Sequence, residues 1–282
     1  MKEENMQATV SVTNVEVPLP AIMFQQDLAS AFQTVSEIGY QGVELFLPSA
    51  EGVDAEEIND LLGKNGLEVG MLAAVGDLVG NDINMGHPDA GVRKAFLDRA
   101  PVHLKLASAL GARVPIGFTR GYIRPNTTKA DVDGWFLESL EIYAKIAEDL
   151  GVTLVLEPIN RHEINYINRT DEALEIIETA GLPNVKLLLD TYHMNIEEVS
   201  IPRTILKAGK HIGHFHFVDS NRRAPGYGHL DMKEIYMCLK EIGYGGFLGV
   251  EAFPEPDPIT AARWGHDYIR MLDRMWEEVA EN

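Results

Sequence analysis

Four short apolar runs in the second half of the chain each end in a side chain able to ligate a cation. Leu154-Val155-Leu156 leads into Glu157, and Leu187-Leu188-Leu189 into Asp190. Ile212-Gly213-His214-Phe215 leads into His216, and Leu248-Gly249-Val250 into Glu251. Short apolar runs of this kind read as strands buried on both faces of a parallel sheet. A carboxylate or imidazole at the end of such a strand is costly unless it is paired, hydrogen-bonded or bound to a cation. Taken singly, each acid reads equally well as a helix cap or a surface group. The same register on four successive strands argues instead for a shared ligand. Three carboxylates and one imidazole suit one divalent metal ion, Mn²⁺ first, with Mg²⁺, Co²⁺ or Zn²⁺ as alternatives. Four strand ends meet at one point on the C-terminal face of a closed parallel barrel.

The rest of the chain supports such a barrel. At Gly39, Gly66, Gly111, Gly151, Gly181, Gly209 and Gly243 a helical pattern stops, and an apolar run begins a few residues later. Two junctions are near copies: Glu37-Ile38-Gly39-Tyr40-Gln41-Gly42 and Glu241-Ile242-Gly243-Tyr244-Gly245-Gly246. The pattern predicts strands over 8–12, 42–46, 67–73, 113–117, 152–157, 186–189, 212–217 and 247–251. It predicts helices over 27–38, 54–65, 89–110, 130–150, 170–180, 201–208, 231–242 and 259–279. Alternation of this kind in a chain of 282 residues predicts an α/β fold, a (β/α)8 TIM barrel, as a single domain over 1–282. Asp54, Thr170 and Asp231 read as helix N-caps, and Pro258 as a first-turn proline. The long connections 74–88, 118–129 and 217–230 each follow a strand, which places them on the catalytic face.

The charge balance narrows the partners. Forty-three acidic and 24 basic residues give a net charge of −19, which repels nucleic-acid phosphates and anionic lipid. No apolar run approaches transmembrane length, and the opening Met1-Lys2-Glu3-Glu4-Asn5 has no secretory pattern. The single cysteine, Cys238, lies in a helical pattern and reads as core packing in a reducing compartment. These features predict a cytoplasmic protein acting on a small molecule, with neither nucleic acid nor membrane as partner. A homo-oligomer is compatible with such a barrel.

The motifs at the strand ends carry a family resemblance. They are Glu157-Pro158-Ile159-Asn160-Arg161-His162-Glu163, Asp190-Thr191-Tyr192-His193-Met194-Asn195, and His216 with Asp219-Ser220-Asn221-Arg222-Arg223-Ala224-Pro225-Gly226. They resemble the ketose 3-epimerases of the xylose isomerase-like TIM barrel superfamily, which act on D-tagatose, D-psicose and related sugars. The likeness is densest from 150 to 255 and continues through Gly39-Tyr40-Gln41-Gly42-Val43-Glu44-Leu45 and His87-Pro88-Asp89. Asn195-Ile196-Glu197-Glu198-Val199, Ile201-Pro202 and Gly226-Tyr227-Gly228-His229 look closer still to sugar-acid epimerases of inositol breakdown, which act on 5-keto-L-gluconate. The resemblance implies that Glu157, Asp190, His216 and Glu251 hold the metal, and that Glu157 and Glu251 are the catalytic acid/base pair. It implies that Glu163, His193 and Arg222 bind substrate. His162 departs from the aromatic residue usual after the arginine, which bears on local pocket shape.

Chemistry agrees with this reading. A cation on a ketone and its neighbouring hydroxyl stabilises the enediolate formed when the adjacent carbon loses a proton. Inversion at that carbon needs removal on one face and return on the other, hence two opposed acid/base groups. Other residues have two readings each. Phe118 walls the sugar pocket or packs in the core. Arg120 meets a substrate carboxylate or phosphate, or serves the loop. Glu44 contacts substrate or pairs with a neighbouring loop. Glu163 faces the pocket or pairs with Arg161. His214, two residues before His216, faces the barrel interior one layer deeper as a hydrogen-bonded group. An aldose–ketose isomerase of the hydroxypyruvate or xylose type would use the same metal and enediolate. A DNA-repair endonuclease would need a multi-zinc histidine cluster and a basic surface, and a sugar-binding protein would not need two opposed glutamates.

Overall fold

Parallel strands and helices alternate along the computed structural model, which describes residues 6–16 and 21–280. The strands are β1 (Gln7–Thr13), β2 (Gly42–Phe46), β3 (Glu68–Ala73), β4 (Val114–Ile116), β5 (Leu154–Leu156), β6 (Val185–Asp190), β7 (Ile212–His216) and β8 (Phe247–Val250). The principal helices are α1 (Leu28–Ile38), α2 (Ala55–Asn65), α3 (Ala90–Leu110), α4 (Lys129–Asp149), α5 (Thr170–Ala180), α6 (Ile201–Ala208), α7 (Met232–Glu241) and α8 (Pro258–Ala280). The sheet runs β3-β2-β1-β8-β7-β6-β5-β4, every neighbour parallel. A single bridge between Met71 and Arg113 joins its two edges, so the barrel is nearly closed. The expected single domain over 1–282 also takes in residues 1–5, 17–20 and 281–282, which lie outside the described residues.

Local signals explain most boundaries. Asp54 and Asp231 cap α2 and α7 through their side chains, and α8 opens at Pro258. All seven stop glycines have positive φ, from 49° to 112°. Thr170 is a correction: it is the first residue of α5, and Arg169 holds the cap position. Among the described residues five pieces go beyond the expected pattern: a two-residue strand, Phe24–Gln25, beside β1, a helix Gly76–Gly80, a helix Thr191–Glu197, and 3-10 turns Phe118–Arg120 and Gly209–His211. No helix of the described residues is long and apolar enough to cross a membrane.

Strand alternation sorts the side chains into two cores. Leu154, Leu156, Leu187, Leu189, Phe215, Leu248 and Val250 pack outward with the helices, as does Cys238 from α7. Met71, Val155 and Leu188 form a separate cluster inside the barrel. Side chains two residues further along a strand share its face. The inner face therefore runs from Val155 to Glu157, from Leu188 to Asp190, from His214 to His216 and from Gly249 to Glu251. An apolar floor supports a polar layer at the C-terminal mouth.

Candidate active site

Asp190 stands at the middle of this layer. Its Oδ1 caps the Thr191–Glu197 helix by accepting from the Tyr192 amide at 2.7 Å. That leaves Oδ2 turned inward, buried and without a hydrogen-bond partner. His216 Nδ1 lies 3.5 Å from it and 3.4 Å from Glu251 Oε2, and it too is buried and unpartnered. Ligand atoms of Asp190, His216 and Glu251 lie within 4.8 Å of one another, and so do those of Glu157, Asp190 and His193. The two sets share Asp190, which stands between Glu157 on one side and His216 and Glu251 on the other. Unpaired buried polar atoms are rare because each forfeits its hydration. Here two face one another across a gap lined by carboxylates. A divalent cation fits this donor set, and it would give both orphaned atoms a partner.

A polar wall closes one side. Asn160, fully buried, donates through Nδ2 to Glu163 Oε1 at 2.9 Å and faces His193 Nδ1 at 2.8 Å. Its Oδ1 accepts from the His162 amide at 2.9 Å, which fixes the orientation of the amide. His193 Nδ1 is thus an acceptor, so its proton sits on Nε2. That nitrogen lies 3.6 Å from Glu157 Oε1 and 4.0 Å from Asp190 Oδ2. On the other side Arg222, held at φ 58°, donates to Glu251 Oε2 at 2.8 Å. Its guanidinium also lies over the Tyr192 ring at 5.1 Å and 3.7 Å from Glu163. His193, Arg222 and Glu163 are therefore brought together at the pocket. Sequence reasoning assigned no part to Asn160 or Tyr192, although both lie inside the quoted motifs.

The electrostatics set the two glutamates apart. Burial pushes the Glu157 carboxyl up to about 8, reinforced by Glu251 and Asp190 and opposed by His216 and Arg222. Burial acts the same way on Asp190 and Glu251, but neighbouring basic groups outweigh it. His193, His216 and Arg222 hold Asp190 at about 2, and Arg222 and His216 hold Glu251 below the usual carboxylate range. Burial opposes the charge of His216 as well, yet Glu44, Asp190 and Glu251 raise it well above an ordinary histidine. Burial lowers His193.

Several expectations need correction. Arg120 takes the loop-serving reading: it is fully buried, and its guanidinium donates to the carbonyls of Tyr166 at 2.9 Å, Gly117 at 2.6 Å and Ile167 at 3.1 Å. It ties the loop after β4 to the loop after β5. Phe118 is 40% exposed at the mouth, which excludes the core-packing reading. Arg161 pairs with Glu197 at 2.6 Å rather than with Glu163. Glu44 pairs with strand residues rather than a loop; it is buried inside the barrel against His214 at 2.7 Å and His216 at 3.1 Å. His214 is the buried, hydrogen-bonded interior group its register indicates.

Comparison with known proteins places this geometry. The family model for the xylose isomerase-like TIM barrel matches residues 32–272. The chain belongs to this family. Within it, a D-psicose 3-epimerase of Ruminiclostridium cellulolyticum is 32% identical over 243 residues, covering 82% of this chain and 80% of the relative. A hydroxypyruvate isomerase of Escherichia coli is 25% identical over 257 residues, covering 89% of this chain and 97% of the relative. The solved structure of an L-ribulose 3-epimerase matches the xylose isomerase-like barrel described here with a TM-score of 0.82 at 24% identity, covering 98% of this chain and 97% of that one.

Proposed function

We propose that this protein is a sugar isomerase of the epimerase type, a single-barrel enzyme that inverts the carbon beside the ketone of a ketose or keto-sugar acid. The observation that carries this reading is the pair Glu157 and Glu251, set on either side of Asp190 and His216 at the strand ends. The relatedness to D-psicose 3-epimerase supports it. Glu157, Asp190, His216 and Glu251 would hold one divalent cation, Mn²⁺ first. When bound, that ion would polarise the ketone and neighbouring hydroxyl and so stabilise an enediolate.

The remaining work belongs to the chain. One glutamate takes the proton from the carbon beside the ketone, and the other returns a proton to the opposite face. Arg222 holds Glu251 ionised and ready to accept, while burial gives Glu157 the higher proton affinity of the two in the metal-free site, which suits it to hold the proton that is returned. For the opposite epimer the roles exchange. His193 presents its Nε2 proton to a substrate oxygen, while Asn160 fixes the ring and Glu163 accepts from a sugar hydroxyl. Phe118 offers an apolar face at the mouth.

A second reading, aldose–ketose isomerisation, is favoured by the relatedness to hydroxypyruvate isomerase over nearly that relative's full length. It needs the same enediolate with the proton returned one carbon away. A panel of ketoses, keto-sugar acids and their phosphates, incubated with the Mg²⁺-loaded enzyme and followed by product NMR, separates the two. Epimerisation yields a ketose inverted at one carbon, and isomerisation yields an aldehyde. Absence of both products across the panel contradicts the proposal.

A further inference from the structure

Glu44 lies far from the strand ends in sequence and is used by none of the steps above. It projects from β2 across the barrel interior to β7. Its Oε1 accepts from Thr9 Oγ1 at 2.9 Å and faces His214 Nε2 at 2.7 Å, and its Oε2 lies 3.1 Å from His216 Nε2. All four side chains are buried. The space for the carboxylate exists because β8 carries glycine opposite it: a Cβ at Gly249 would lie 2.0 Å from Glu44 Oε1 and 2.9 Å from the His216 ring.

We infer that Glu44 is a positioning residue for the metal centre, holding the His216 proton on Nε2 so that the Nδ1 lone pair faces Asp190 and Glu251. Both ring nitrogens face carboxylates, which accept and do not donate, but Nε2 lies nearer to Glu44 Oε2, at 3.1 Å, than Nδ1 lies to Glu251 Oε2 or Asp190 Oδ2, at 3.4 and 3.5 Å. With a cation taking the Nδ1 lone pair beside Asp190 and Glu251, the one remaining ring proton belongs on the Glu44 side. His214 fixes the carboxylate from beneath, its ring 5.4 Å from that of His216 and nearly perpendicular at 85°. Such a carboxylate behind a ligating histidine orients the ring and raises its basicity, and its loss typically weakens metal binding about 10–100-fold. In Glu44→Gln the amide can turn an N–H toward His216 Nε2, which favours the wrong tautomer at unchanged volume.

The inference rests on the metal-site part of the proposed function, and the test separates the two. Mn²⁺ affinity is measured by the electron-spin-resonance signal of free hydrated Mn²⁺ for the wild type and Glu44→Gln, with a cooperative thermal melt confirming the fold. Glu44→Gln is expected to bind Mn²⁺ about 10–100-fold more weakly. Equal affinity in a folded variant overturns the role of Glu44 and leaves the proposed function standing. Failure of the wild type itself to bind Mn²⁺ overturns both. A second measurement needs no variant: nitrogen-15 NMR of the Mg²⁺-loaded wild type is expected to show His216 protonated at Nε2 alone. Protonation at Nδ1 contradicts the inference even if Glu44→Gln does not fold.

Discussion

Glu157 and Glu251 close the same pocket from the ends of β5 and β8, in unlike surroundings. Glu251 carries a 2.8 Å bond from Arg222 and lies 3.4 Å from His216, which keeps it ionised despite burial. Glu157 lies 3.6 Å from His193 Nε2, on a ring that burial holds toward neutrality, and its own burial raises its carboxyl to about 8. One residue type at one level of the barrel thus differs in proton affinity before any cation binds. The difference comes from burial at Glu157 against two basic neighbours at Glu251: Arg222 from the loop after β7 and His216 from the end of β7 itself.

The largest expected effect removes the comparison altogether. Glu157→Gln and Glu251→Gln, each compared at saturating Mn²⁺, should each lower kcat by roughly 10²–10⁴-fold, as loss of a proton-transfer group does. A variant that turns over normally when metal-loaded removes that glutamate from the acid/base pair.

A smaller effect sharpens the contrast. Near neutral pH the metal-free protein holds a proton on Glu157, whereas Glu251 is already ionised. Calorimetry in buffers of different ionisation enthalpy should show that metal binding to Glu157→Gln releases about one proton fewer than the wild type, because ligands bind deprotonated. Glu251→Gln should release close to the wild-type number. The same shift fixes a stability trend in the metal-free protein. The folded carboxyl at about 8 lies above its ordinary 4.5, so the folded state binds more protons between these values. Stability therefore falls as pH rises through that window, and Glu157→Gln should remove the fall in a melting series.

The smallest effect concerns the arm that makes Glu251 different. Arg222→Ala should lower kcat/KM by up to about 10²-fold, through misplaced substrate and a less acidic Glu251. It should also move the acidic limb of the pH–rate profile, set by Glu251, to higher pH while leaving the limb set by Glu157 in place. An unchanged profile would show that Arg222 does not set the proton affinity of Glu251.

Much of this was legible in the chain because strand register is local. The apolar runs at 154–156, 187–189, 212–215 and 248–250 point their ends the same way once they are parallel, so four candidate ligands could be read from period alone. Partners supplied by distant segments were not legible. Glu44 meets His214 across 170 positions of sequence, and no local pattern signals that contact. Arg120 resembled a pocket arginine because a loop arginine beside a strand end has two destinations. The carbonyls of Tyr166 and Ile167, which decide between them, lie 46 and 47 residues away. The residues behind the finer sugar-acid likeness are in part structural. Glu197 binds Arg161, and Glu198 accepts from the Thr170 amide at 2.8 Å at the start of α5. Asp190 shows that a cap and a ligand need not be alternatives, since one oxygen does each task.

The opposed roles of the two glutamates are tested most directly by hydrogen exchange in D₂O with the metal-loaded single variants and each epimer of the turned-over ketose. Each variant retains one glutamate and so reaches one face of the carbon. Glu157→Gln should wash deuterium into one epimer without inverting it, and Glu251→Gln into the other epimer only. Exchange of the same epimer by both variants, or interconversion of the epimers at the wild-type rate by either, would contradict two glutamates acting from opposite faces.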